Sequence, residues 1–318
     1  MASNNKNQQL FTYAKHDPEL CLAPGLFRSL KRGSRNQEWH VKHGDITFCG
    51  KGSLGVDDLR VLQALMAIAT EKYEEFKNPT SPAAKKLIED LKIKDYSGVI
   101  FIESSYAAIA RNMGYEKIDG GSRLAAIKNC ISRLCKVSMT VAAENVQHQM
   151  ISCCVQSGEE NDKCYLFIAI NPRTARVITK EKQKFTRIDM SEVRKLSSDH
   201  ARLIHQRLCG WINPGKGKTI SIEKLCSYVW PDQANNKETM KKRRKKIVEC
   251  LKQLNDKISW ETHVDPVNDK VEITRPDAKD LAAKGRTSRT RAGRYIAIAM
   301  RSQSDVSLRN TGKNPDKV

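Results

Sequence analysis

Six consecutive cations, Lys241-Lys242-Arg243-Arg244-Lys245-Lys246, carry the plainest chemistry in this chain, the neutralisation of a polyanion. Lysine-rich surface helices usually interleave glutamates at i,i+4 to balance their charge. Here the run is unbroken, and its self-repulsion costs stability unless a polyanion relieves it. Lys237 and Lys252 extend the charge to either side, with Glu238 and Glu249 as interleaved acids. Near the start of this segment Lys237, Thr239 and Lys242 are placed for base edges, because the N-terminal part of a recognition helix enters the major groove. Lys241, Lys245 and Lys246 suit phosphates, and Arg243 belongs to the same set. A second, weaker group lies in the first half of the chain: Ser122, Arg123, Lys128, Asn129 and Arg133.

Catalytic and metal-binding patterns fail on spacing. A phosphate-cradling loop needs G-x-x-x-x-G-K followed at once by Ser or Thr. Gly210–Lys216 meets the first seven positions, but Gly217 stands where the hydroxyl belongs. Nicking initiators of rolling-circle replication pair two histidines one residue apart with a tyrosine. In His40-Val41-Lys42-His43 the two are three apart, which puts them on opposite faces of a strand. The 10 cysteines include no C-x-x-C pair, so they read as structural thiols, with no metal and no cofactor expected. No carboxylates are spaced for a two-metal nuclease, and no enzyme is expected.

The cationic run sits on an amphipathic helix, Asn236–Ile258, whose apolar stripe is Met240, Ile247, Leu251, Leu254 and Ile258. A shorter helix, Ser221–Trp230, precedes it, with Trp230 packing its end and Pro231 stopping it. Alternation at Ile258, Trp260, Thr262 and Val264 follows, then a turn at Asp265–Asp269 and Val271 with Ile273. Together with a helix at Ser197–Trp211, this is the order of a winged helix-turn-helix. The first half repeats it: helices at Asp57–Thr70, Ser104–Met113 and Ser122–Lys136, a strand through Val137–Val141, and a hairpin from Met150–Gln156 and Lys163–Ile170. A short charged helix is expected at Ala83–Leu91. The fold class is therefore α+β, with two tandem winged helix-turn-helix domains. The expected divisions are a disordered tail at 1–15, a first domain at 16–172 and a connector at 173–190. A second, main DNA-binding domain at 191–277 and a basic disordered tail at 278–318 complete the chain.

The bulk numbers agree with that reading. The net charge of +20 and pI near 9.6 favour nucleic acid or anionic lipid as partner. No apolar run approaches the ~20 residues that span a bilayer, so no membrane is expected. Met1–Gln9 is polar with no apolar core after it, so no secretory signal is expected and the thiols should stay reduced in a bacterial cytoplasm.

Several blocks in register resemble the RepC replication initiators of IncQ-type plasmids. They are His16–Arg28, Gly55–Leu62, Ala201–Ile212, Tyr228-Val229-Trp230-Pro231, Thr239–Arg244 and Ile273-Thr274-Arg275-Pro276. The resemblance covers most of residues 16–277; Tyr73–Asp95 diverges and Asp277–Val318 has no counterpart. It implies binding to repeated sequences (iterons) in double-stranded origin DNA, melting of adjacent AT-rich DNA, and recruitment of a plasmid-encoded replicative helicase, with a plasmid primase acting afterwards. Self-association on DNA goes with it. The rivals are a winged-helix transcriptional repressor that never opens DNA and a nicking initiator.

Overall fold

Side-chain caps set where the helices start. Ser105, Asn171, Ser221 and Asn236 each accept a backbone N–H from the first turn that follows. A computed structural model describes residues 10–30, 38–72, 85, 88, 89, 99–118, 121–142, 146–157, 164–179, 184–234, 236–265 and 268–277. In chain order the elements begin with β1 (Tyr13–His16), α1 (Pro18–Leu22), β2 (Glu38–His43), β3 (Ile46–Lys51), α2 (Val56–Lys72) and β4 (Ile100–Ser104). Next come α3 (Tyr106–Asn112), α4 (Gly121–Leu134), β5 (Ser138–Val141), β6 (Val146–Gln149), β7 (Ile151–Ser157), β8 (Cys164–Ile170) and α5 (Pro172–Ile178). The chain continues with β9 (Thr186–Asp189), α6 (Met190–Lys195), α7 (Asp199–Trp211), β10 (Gly217–Ser221), α8 (Ile222–Val229), α9 (Lys237–Ile258), β11 (Glu261–Asp265) and β12 (Lys270–Thr274).

One order of elements occurs twice in this mixed helix-and-sheet chain. A helix, a strand, two helices and a hairpin run from α2 through β8, and again from α7 through β12. In each case the lone strand pairs with the last hairpin strand, giving sheets β4-β8-β7 and β10-β12-β11. The register in the second sheet sets Ile220 opposite Val271, both buried. Between α4 and β7 the first unit carries an addition that local spacing does not announce. β5 and β6 join the early hairpin β2–β3 in a four-stranded antiparallel sheet of order β2-β3-β5-β6. On β2, His40 is exposed, while His43 lies on the other face with Nε2 3.2 Å from Glu19.

Two expectations are corrected, for the N-terminal tail and for the alternation from Ile258. The tail drawn through residue 15 is ordered over its last residues. Tyr13–His16 forms β1, paired antiparallel with β9, and Phe11 and Ala14 are buried. The connector at 173–190 is largely regular structure, because Asn171 and Pro172 start α5 and β9 holds β1. The alternation from Ile258 is not one strand: α9 runs through Ile258, and Ser259 turns left-handed (φ 61°) before β11. Of the helix expected at Ala83–Leu91, Lys85, Ile88 and Glu89 are described, and they are helical. Residues 1–9 and 278–318 lie outside the described residues.

The two units share one apolar core, and the N-terminal segment packs against both of them. Gln63 on α2 donates to Gln206 on α7 at 2.7 Å, and Gln206 donates onward to Cys21 Sγ at 3.1 Å, all three residues buried. Arg275, also buried, donates to the carbonyls of Cys209 and Ile212 at 3.0 and 3.2 Å and to that of Arg187 at 2.6 Å. It thereby closes the end of α7, whose last carbonyls have no helical partners, and ties β9 to the hairpin exit. Gly210 lets α1 cross α7 closely: a Cβ there would lie 2.7 Å from Cys21 Cβ. In an ordinary helix Gly→Ala stabilises by about 1 kcal/mol. Here Gly210→Ala should destabilise, by about 1–3 kcal/mol, through overpacking. Denaturant unfolding of the variant beside the parent reads the sign directly, and a stabilised variant would show that α1 does not press on α7.

Candidate nucleic-acid interface

α9 is held by one edge. Ile247, Cys250, Leu251, Leu254 and Ile258 are buried, and Met240 packs half-buried against the same core. The stripe read from spacing is therefore the seated one, with Cys250 added. The seat is made by α7 and α8. Trp260, fully buried, is the stop behind it: its Nε1 donates to Glu192 Oε1 at 3.2 Å.

Away from the stripe the cations divide into two flanks. Lys237, Lys241, Lys245 and Lys252 are exposed, and none makes an ion pair among the described residues. On the other flank, Lys242 lies 3.6 Å from Glu238 and Lys246 lies 2.9 Å from Glu249. The Lys246–Glu249 pair raises the lysine pKa and lowers the carboxylate's through their hydrogen bond. Arg243 turns inward: it donates to the Asp232 carbonyl at 2.7 Å, with its guanidinium 5.5 Å from the Trp230 ring centroid. Thr239 is half-buried, and its N–H is taken by the Asn236 cap at 2.8 Å. Arg244, which spacing alone did not set apart, donates through Nη1 to Asp269 Oδ2 at 2.7 Å and through Nη2 to Asp269 Oδ1. That fork joins α9 to the start of β12 and fixes the β11–β12 hairpin beside it. Across that hairpin's turn, Asn268 donates to Asp265 through both N and Nδ2; Pro266 and Val267 lie outside the described residues.

The group on α4 is less uniform. Ser122, Lys128 and Asn129 are exposed along the helix. Arg123 is exposed too, but donates to the Lys117 carbonyl at 2.5 Å and lies over the Tyr115 ring. Arg133 is a correction: it is not on the open face. Its Nε and Nη2 bond buried Asp58 at 2.9 and 2.8 Å, because a carboxylate inside the protein must be paired.

Among the described residues one cluster has metal-ligating types, Glu192, His205 and Cys209, all buried. They meet at His205 Nε2, while the buried His205 Nδ1 has no hydrogen-bond partner among the described residues. His205 Nε2 lies 2.7 Å from Glu192 Oε2 and 3.4 Å from Cys209 Sγ. Burial alone would lower the His205 pKa, but Cys209 and Glu192 outweigh it and raise it to about 10. The cluster is a knot fastening α6, α7 and Trp260. Cys226 and Cys250 have thiols pushed up to about 11 by burial, which makes them poor nucleophiles. The near-miss loop at Gly210–Lys216 begins in the last turn of α7, so a helix and not a strand leads into it. Among the described residues, no helix is long and apolar enough to cross a membrane.

An apolar-seated, cation-faced helix beside a hairpin, in a chain of charge +20, defines a protein whose surface is shaped for a polyanion. Comparison with protein families then fixes the particular group: the chain belongs to the Replication protein C (RepC) family, whose model matches residues 8–277. It is thus a protein of DNA replication initiation, as the blocks at His16–Arg28 and Ala201–Ile212 implied. Among solved structures it is similar to domains 2 and 3 of RctB, at a TM-score of 0.51 and 11% identity. That match covers 81% of this chain and 98% of that one, and it bears on the fold alone. No curated protein matches the chain.

Arg244→Ala should loosen the hairpin without unfolding the protein. Hydrogen exchange at Glu261–Asp265 and Lys270–Thr274 should quicken while α9 keeps its protection. The partly exposed pair is worth about 1 kcal/mol or less to overall stability. Unchanged exchange in the hairpin would mean that Asp269 does not anchor it.

Proposed function

We propose that this protein is a non-enzymatic replication initiator built on two winged helices. In this reading it recognises repeated sequences in double-stranded origin DNA, chiefly through α9. The observation that carries it is the division of α9 into a buried apolar edge and an open row of lysines that make no ion pair among the described residues. Lys237, Lys241 and Lys245 lead into the major groove, with Lys242, Lys246 and Thr239 at its margin, while Arg243 holds the start of α9 through Asp232 and Trp230. The β11–β12 hairpin tracks the backbone or the minor groove alongside. Ser122, Arg123, Lys128 and Asn129 on α4 contact a second segment of the same repeat. Because both units share one core, the second contact follows the first at high effective concentration.

Copies bound side by side bend the duplex, and their summed binding energy offsets unstacking of the adjacent AT-rich segment, a few kcal/mol. The plasmid helicase then loads on the opened strands, and the primase follows. The repeated element order supports the winged-helix reading, and membership of the RepC family supports the initiation role.

Footprinting of the full chain on the parental replicon's supercoiled origin, with permanganate probing of unpaired thymines, tests this. Protected repeats with reactive thymines beside them are expected. Protection without reactivity would favour a repressor, and a covalent protein–DNA adduct in the presence of divalent metal would favour a nicking enzyme. Lys241→Ala with Lys245→Ala should weaken protection at least about tenfold, as removal of two charge-assisted hydrogen bonds implies, with the thermal midpoint unchanged.

A further inference from the structure

Val248 is 42% exposed, and among the described residues it is the one large hydrophobic left so open on a helix. It does not belong to the seat. Its neighbour Ile247 is fully buried, and one residue along an α-helix turns the side chain by about 100°. Instead it stands in the open row: Lys237, Lys241, Lys245, Val248 and Lys252 follow one another at spacings of four, four, three and four. Residues so spaced share a helical face. Arg244, four residues before Val248, reaches the hairpin from this same side. The opposite flank is engaged with the protein itself. There Gln253 accepts from Ser198 N at 3.2 Å, and Lys257 donates to Ser197 Oγ at 2.8 Å.

An exposed branched apolar side chain with lysines three before and four after it is matched by an apolar group set within a strongly anionic surface. An apolar protein surface would leave the lysines unmatched, and a bare phosphate would leave the valine unmatched. The major groove of duplex DNA offers both, because thymine alone presents a 5-methyl group there between two anionic backbones. We infer that Val248 reads a thymine methyl in the origin repeat, with Lys241 and Lys245 aligning the helix on flanking bases and Lys252 on a phosphate. This rests on the reading of α9 as the groove-entering helix. It adds a specificity-determining residue of apolar type to a site otherwise made of charge.

The test replaces each thymine of one origin repeat by deoxyuridine, which lacks only the methyl, and titrates the full chain against each duplex and against a scrambled one. The parent should lose about fourfold in affinity at one thymine, the worth of roughly one buried methyl group. Val248→Ala should lose a similar factor on the unmodified repeat and then become indifferent to deoxyuridine at that position. The substitution is on an exposed helical surface and raises helix propensity, so folding is kept; an unchanged thermal midpoint checks this. A parent that prefers the repeat but ignores deoxyuridine everywhere would overturn the inference and leave the proposed function standing. So would a Val248→Ala variant that stays as sensitive to deoxyuridine as the parent. A parent that binds repeat and scrambled duplex alike would overturn both.

Discussion

The seating of α9 is the constraint from which the rest follows. Five buried side chains, from Ile247 to Ile258, hold a helix whose other residues include six adjacent cations. Full burial of an aliphatic side chain is worth about 1.5–3 kcal/mol. Like charges at i,i+4 on an exposed helix cost only a few tenths of a kcal/mol each. The apolar edge therefore wins, and the protein keeps a row of unpaired lysines in place before any partner arrives. In the proposed function, such a row would bind a polyanion without first having to order itself, and the repulsion along it would be relieved when the two meet.

Fixing the helix is of use only if its surroundings are fixed too. Trp260 and the Glu192–His205–Cys209 knot close the back of the seat, Arg275 ties the end of α7 to β9, and the Arg244–Asp269 fork sets the hairpin. The N-terminal segment then joins this unit to the first through β1–β9 and the Gln63–Gln206–Cys21 chain. In consequence α4 and α9 are carried on one continuous core and not on two separately tumbling domains.

Local periodicity made much of this legible in the residues. The stripe on α9 and the helix–helix–hairpin order both come from spacing within some twenty residues. The missing parts depend on neighbours far apart in sequence. Nothing near Glu38–Lys51 says that its hairpin will be completed by strands after α4. Nothing near Tyr13 says that β9 is its partner, more than 170 positions away. In the site the same limit applied to charge. Arg133 looks like any outward helix cation until Asp58 is seen beneath it, and Arg244 is indistinguishable from Arg243 until Asp269 comes alongside. Val248 could have been found, since it lies seven residues from Lys241 in the cationic row. The apolar stripe drew attention because apolar residues are expected to face inward.

The most direct measurement is the salt dependence of origin-duplex binding by the full chain, with the parent beside a variant carrying glutamine at Lys241, Lys245 and Lys252. The slope of log affinity against log salt should flatten by about 0.9 for each phosphate that the variant no longer neutralises. If the open row of α9 lies on DNA, the variant must show a shallower slope and weaker binding at low salt. Superimposable lines for the two proteins, both correctly folded, would contradict it.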